Sequence, residues 1–159
     1  MKNLKITLLA IVALVTFSCS DDDDNNNNGG SDATYVNYRV NGEQINIDEP
    51  ATITSLSTLV TAMEGDGANM RSISLWMPND ASVGTHEITE EDLQNLNNSY
   101  TASIMMDEDT EIEATSGTLT ITEMGSEYMK GTFSFTGELD GTTYTVTNGE
   151  FRAYKPSDD

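Results

Sequence analysis

Two hydrophobic patterns divide the chain. Residues 6–15 form one apolar run broken only by Thr7. From residue 34 onward, apolar residues come in short alternating sets separated by Gly, Asn and Asp, the mark of half-buried strands. Val36, Tyr38 and Val40 alternate with Asn37 and Arg39, and Ile45 and Ile47 alternate with Gln44 and Asn46. Asn41 and Gly42 lie between these sets. Both central positions of a type I′ turn need positive φ, so this pair predicts a hairpin. Pro50 closes the second strand. Further strands are predicted over 56–63, 71–77, 84–88 and 100–106. Another spans 111–123, with a break expected near Gly117. In 71–77, Ile73, Leu75 and Met77 share one face, and Ser72, Ser74 and Trp76 share the other.

The last third is the most regular. Met129, Phe133 and Phe135 lie opposite Lys130, Thr132 and Ser134, and Tyr144 and Val146 alternate with threonines. Asp140 and Gly141 predict a second hairpin, and Asn148 with Gly149 predicts a third turn or a bulge. Thr89, followed by Glu90, Glu91 and Asp92, predicts a short helix over 89–96 that Asn95, Asn97 and Asn98 bring to an end. The expectation is one all-β domain over 34–156. It is an antiparallel β-sandwich or flattened barrel of nine or ten short strands plus that helix.

The early apolar run belongs to something else. About 20 residues are needed to span a bilayer, and ten fit the h-region of a signal peptide after Lys2 and Lys5. The run ends in Thr16, Phe17, Ser18 and Cys19. This resembles the lipobox of bacterial lipoproteins, and Ser18 and Cys19 carry the match. The resemblance implies that 1–18 is a signal peptide and that Cys19 is lipidated and becomes the new N-terminus. The alternative is an ordinary signal peptide that leaves a free thiol. Ser20, Asp21, Asp22, Asp23 and Asp24 follow, similar to the acidic export signal of surface-exposed Bacteroidota lipoproteins. That implies an outer-membrane, lipid-anchored protein facing the cell exterior. The same acids, with the Asn- and Gly-rich run after them, also read as a disordered spacer over 19–33. Its ends would lie about 20 Å apart.

Charge narrows the partners. The chain of 159 residues has 27 acids, 7 bases and a formal charge of −20. Loss of Lys2 and Lys5 with a signal peptide would take this to about −22. Such a field repels phosphate backbones and anionic lipid, so nucleic acid is not an expected partner and membrane attachment falls to the acyl chains on Cys19. With one cysteine there is no intramolecular disulfide.

A second resemblance covers most of 34–154. Gly131, Thr132, Phe133, Ser134 and Phe135, then Thr147, Asn148, Gly149, Glu150 and Phe151, look like the closing pattern of uncharacterised Bacteroidota lipoprotein domains. Val40, Asn41 and Gly42 fit their opening strand. The resemblance implies fold and location but no activity.

Candidate chemistry is sparse. His86 is the only histidine, and Glu87 beside it faces the other way on a strand. A triad or a zinc site therefore has no sequence support. Asp107, Asp109 and Glu111 could ligate calcium weakly, without the EF-hand pattern; no other cofactor is expected. Acids are too abundant for a carboxylate pair to signal a hydrolase, which remains a remote alternative. Trp76, on the polar face of its strand, is either cover or a contact for a sugar ring or partner protein. The expected function is non-catalytic: an extracellular binding module for a glycan or an envelope protein. The alternative is a structural or accessory subunit of an outer-membrane complex.

Overall fold

The computed structural model describes residues 32–90, 95 and 97–156. Cys19, Ser20 and Asp21, Asp22, Asp23 and Asp24 lie outside them. The described residues form ten antiparallel strands: β1 (Tyr35–Val40), β2 (Glu43–Asp48), β3 (Ala51–Thr54), β4 (Thr58–Glu64), β5 (Arg71–Met77), β6 (Gly84–Thr89), β7 (Thr101–Asp107), β8 (Thr110–Met124), β9 (Tyr128–Leu139) and β10 (Thr142–Tyr154). The domain is all-β, as the alternation predicts. No helix among the described residues is long and apolar enough to cross a membrane.

The strand order is β2-β1-β10-β9-β8-β7-β5-β4-β3, with β6 also paired to β8. Strand β8 is the hinge of the sheet. Its residues 110–113 pair with β7, 116–121 with β6, and 114–124 with β9. The sheet curls into a half-barrel, so its two arms enclose one core. Val36 and Phe151 from one arm and Ile73 and Leu75 from the other are fully buried there. The Tyr38 hydroxyl of β1 crosses this core and donates to the Ser72 carbonyl of β5 at 3.3 Å.

Both predicted hairpins form for the predicted reason. Asn41 and Gly42 have φ of 49° and 92°, and Asp140 and Gly141 have 50° and 76°. These are left-handed values that such residues adopt cheaply.

Several expectations need correction. Thr89 ends strand β6 rather than capping a helix, and most of the expected helix over 89–96 lies outside the described residues. The one helical piece among the described residues is a 3-10 turn at Gly67–Asn69. Strand β3 follows Pro50 unannounced. Four residues at a sheet edge carry too little alternation to be read. The strand expected from residue 56 begins at Thr58, leaving Leu56 in the turn, 74% exposed. Strand β8 continues through Gly117, and the irregularity expected near it is a register shift against β9 between Ala114 and Ser116, where its other partner changes from β7 to β6. A Cβ at Gly117 would lie 2.4 Å from Phe135 Cβ and from the Ser134 carbonyl, so that glycine admits a close neighbour and does not end the strand.

Candidate functional site

Trp76 lies on the outer face of β5, opposite Ile73, Leu75 and Met77, as its alternation predicts. Pairing extends this position into a row. Ile53 of β3 faces Leu59 of β4, Leu59 faces Trp76, and Trp76 faces Thr101 of β7. The indole is half-buried, with Leu59 and Thr101 as its neighbours across the strands. Exposure increases toward the sheet edge, where Ile53 is 54% exposed. The next row on this face is polar, Thr61, Ser74 and Ser103, and ends in Glu113 of β8; the row after it holds Met63, 65% exposed, and Met105, and ends in Glu111. The face is therefore one short apolar row flanked by a polar row, with two acids at its far side.

The other arm has a different outer surface. Its side chains are mostly Thr and Ser, hydrogen-bonded across strands: Thr85 to Thr120 at 2.9 Å, and Ser116 to Thr136 at 3.0 Å. A β-bulge interrupts this face in β10. The β9 register jumps between Val146 and Gly149, and the β1 register shifts between Asn37 and Arg39. Asn148 takes φ 52° to make the bulge, a conformation asparagine tolerates better than most residues. A regular strand would turn one of Thr147 and Asn148 inward. Here both are exposed. Beneath them Gly149 packs directly on Phe133. A Cβ at Gly149 would stand 2.3 Å from that ring, so no larger residue fits without displacing it. The result is a shallow concavity of about 470 Å³ on β8, β9 and β10, open to solvent.

A second cleft, of about 310 Å³, lies at one end of the half-barrel. It has Met77, Met124 and Met129 in its wall and Asp80 and Lys155 among its polar groups. The edge strand β3 meets β10 nearby, where the Thr52 hydroxyl donates to the Tyr154 carbonyl at 2.8 Å.

The remaining sequence candidates are engaged locally. His86 stacks on Tyr100, with ring centroids 4.1 Å apart and planes 10° apart, and donates from Nε2 to the Ser82 carbonyl at 2.9 Å. Burial raises the Tyr100 hydroxyl above its usual value, with the Asp80 charge adding to it. Asp107 accepts from the Asp109 amide at 2.9 Å inside the β7–β8 turn. The Thr110 hydroxyl and then that amide hold its carboxyl below the usual range. The described residues contain no cluster of three or more His, Cys, Asp or Glu side chains that could hold a metal, so Asp107, Asp109 and Glu111 do not converge into one.

The bulge concavity escaped the sequence reading. Its signal was Asn148 and Gly149 breaking the alternation of β10. Which residues of β8 and β9 would lie beside them depends on pairing that no local pattern encodes.

The chain matches no protein-family model, no curated protein and no solved structure.

Proposed function

We propose that the protein is a lipid-anchored, non-catalytic binding module that faces the cell exterior and docks a partner protein through the Trp76 row. Acyl chains on Cys19 hold it to the outer membrane. Ser20, Asp21, Asp22, Asp23 and Asp24 direct it outward, and the run up to residue 31 spaces the domain from the lipid. The observation that carries the docking role is the outward row of Ile53, Leu59 and Trp76, with exposed Met63 two rows away on the same face. Trp is among the side chains that carry most of the energy of protein interfaces, and apolar neighbours around it serve to exclude water. The half-buried indole favours a protein over a sugar ring on this face. The border of Glu111 and Glu113 favours a partner whose apolar patch has a basic rim. An accessory role in a larger envelope complex uses the same row and differs in how durable the contact is.

The test places a photocrosslinking residue at position 76 in whole cells, with an equivalent at exposed Glu87 as control. The expected result is one discrete adduct from position 76 and none from position 87, on protein that external protease digests in intact cells. No adduct at 76, or equal labelling at both sites, overturns the docking role. Protease resistance in intact cells overturns the outward orientation. Replacing Asp21, Asp22, Asp23 and Asp24 by Ala is expected to restore that resistance.

A further inference from the structure

We propose that the concavity at the β10 bulge is a second binding site, on the arm of the sheet away from Trp76, and that its ligand is a neutral saccharide. The inference does not depend on the protein-docking role, because it concerns different residues on different strands.

The bulge builds the site. By turning both Thr147 and Asn148 outward, it places two consecutive polar side chains above the hydroxyl row of the neighbouring strands. Thr118 of β8 and Thr132 and Ser134 of β9 complete the wall, and Glu150 closes it with a carboxylate. Thr132 pairs directly with Glu150, and Thr118 with Ser134. The floor is the bare backbone of Gly149 with the Phe133 ring packed beneath it. The Phe133 ring stays on the core side, so a ligand meets bare backbone ringed by hydroxyl, amide and carboxylate groups, which suits a compact ligand rich in hydroxyls.

The available groups point the same way. The side chains of Thr132, Thr147 and Asn148 make no hydrogen bond among the described residues. Each hydroxyl can donate and accept, and the amide offers one of each kind, so the set suits a ligand whose own groups also do both. Glu150 is already oriented: one carboxylate oxygen accepts from the Tyr35 hydroxyl at 2.6 Å. A charged acceptor binds a sugar hydroxyl about twice as strongly as a neutral one.

Other ligand classes fit less well. The chain carries −20 and the lining holds a carboxylate and no base, the base nearest in register, Arg39 opposite Thr147, being turned to the Gly42 carbonyl at 3.4 Å, so phosphates, sulfated sugars and uronic acids are disfavoured. An extended peptide would need a free strand edge, but β8, β9 and β10 are all paired on both sides. The open rim admits an internal unit of a chain as readily as an end.

Calorimetric titration of the full chain in detergent with maltohexaose, laminarihexaose, mannohexaose and xylohexaose tests this, with a galacturonate hexamer as the anionic arm and the free monosaccharides as the end-unit arm. At least one neutral hexamer is expected to bind with a Kd of about 1 mM or tighter, and the galacturonate not at all. Glu150→Gln and Thr132→Val are each expected to weaken it about tenfold with melting unchanged. Asn148→Gly keeps the left-handed backbone while removing the amide, and is expected to weaken binding as well. Trp76→Ala is expected to leave saccharide binding intact. Absence of binding by all four neutral hexamers at about 10 mM overturns the proposal. So does tighter binding of galacturonate, or a neutral hexamer whose affinity ignores Glu150→Gln and Thr132→Val. Loss of the crosslink at position 76 with saccharide binding retained would remove the docking role and leave this site standing.

Discussion

The single hydroxyl of Tyr38 links the two arms of the half-barrel. Its ring is fully buried and packs 6.2 Å from Phe133, beneath the β10 bulge, while its oxygen reaches the Ser72 backbone. Burial raises its ionisation well above the ordinary tyrosine range. A buried bond of this kind contributes about 0.5–1.5 kcal/mol net, and the ring's burial survives its loss. Tyr38→Phe is therefore expected to cost about 1 kcal/mol in denaturant unfolding with the slope m unchanged. No change in midpoint would show that the carbonyl finds another partner. The Lys130–Glu123 pair is shorter, at 2.7 Å, but its side chains are 40% and 54% exposed, so it contributes little. Burial, and not distance, decides which of the two contacts stabilises the fold. No sequence pattern distinguished Tyr38 from its neighbours in alternation, because its partner lies on another arm.

At the scale of elements, β10 organises more than its own pairing. Arg152, 8% exposed, donates to the Ala33 carbonyl at 2.9 Å and to Asp32 at 3.3 Å, and its guanidinium lies 3.9 Å from the Tyr128 ring centre. The last residues assigned to the spacer are thus pinned to the domain, and the start of β1 is held against β10. Arg152→Lys keeps the charge but loses the planar fork and its stacking. It is expected to destabilise the domain by about 1–2 kcal/mol and to speed amide exchange at Tyr35. Unchanged exchange at Tyr35 would mean that β1 is held by its ladders alone. The elements themselves were largely legible. Asn41–Gly42 and Asp140–Gly141 predict turns because positive φ is a local demand, and β5 and β9 alternate cleanly because each has one buried face. The start of β4 was misread because Leu56 is apolar yet exposed. Leu56 lies in the tight connection between β3 and β4, and β3 itself is too short to be read from alternation. The bulge was half legible: Asn148 and Gly149 announce a break in alternation, but whether it makes a turn or a bulge depends on the long pairing with β9.

Over the whole molecule, the excess of acid sets how the fold meets alkali. Four tyrosines have hydroxyls raised above the usual value of about 10. Tyr35 is raised to about 12, first by burial and then by its bond to the Glu150 carboxylate. Tyr38 and Tyr100 are raised first by burial. Tyr128 is raised by burial and then by its bond to Tyr154. In each case the folded state holds its proton more tightly than the unfolded chain. The stabilisation is complete below pH about 10, the unfolded value, and is lost as pH rises through the folded values. The carboxylates act with this, since a chain at −20 resists every further negative charge. The melting temperature is therefore expected to fall steadily between pH about 10 and about 12. Tyrosinate absorbance is expected to rise together with unfolding and not ahead of it. If most tyrosines ionised at their ordinary value while the sheet signal persisted, the buried hydroxyls would be accessible and the half-barrel looser than its packing shows. Added salt separates the two contributions. It screens the carboxylate repulsion, which acts over a Debye length of about 10 Å at 0.1 M, but leaves the burial of Tyr38 untouched. High salt should thus raise the melting temperature near neutrality yet leave a decline above pH about 10.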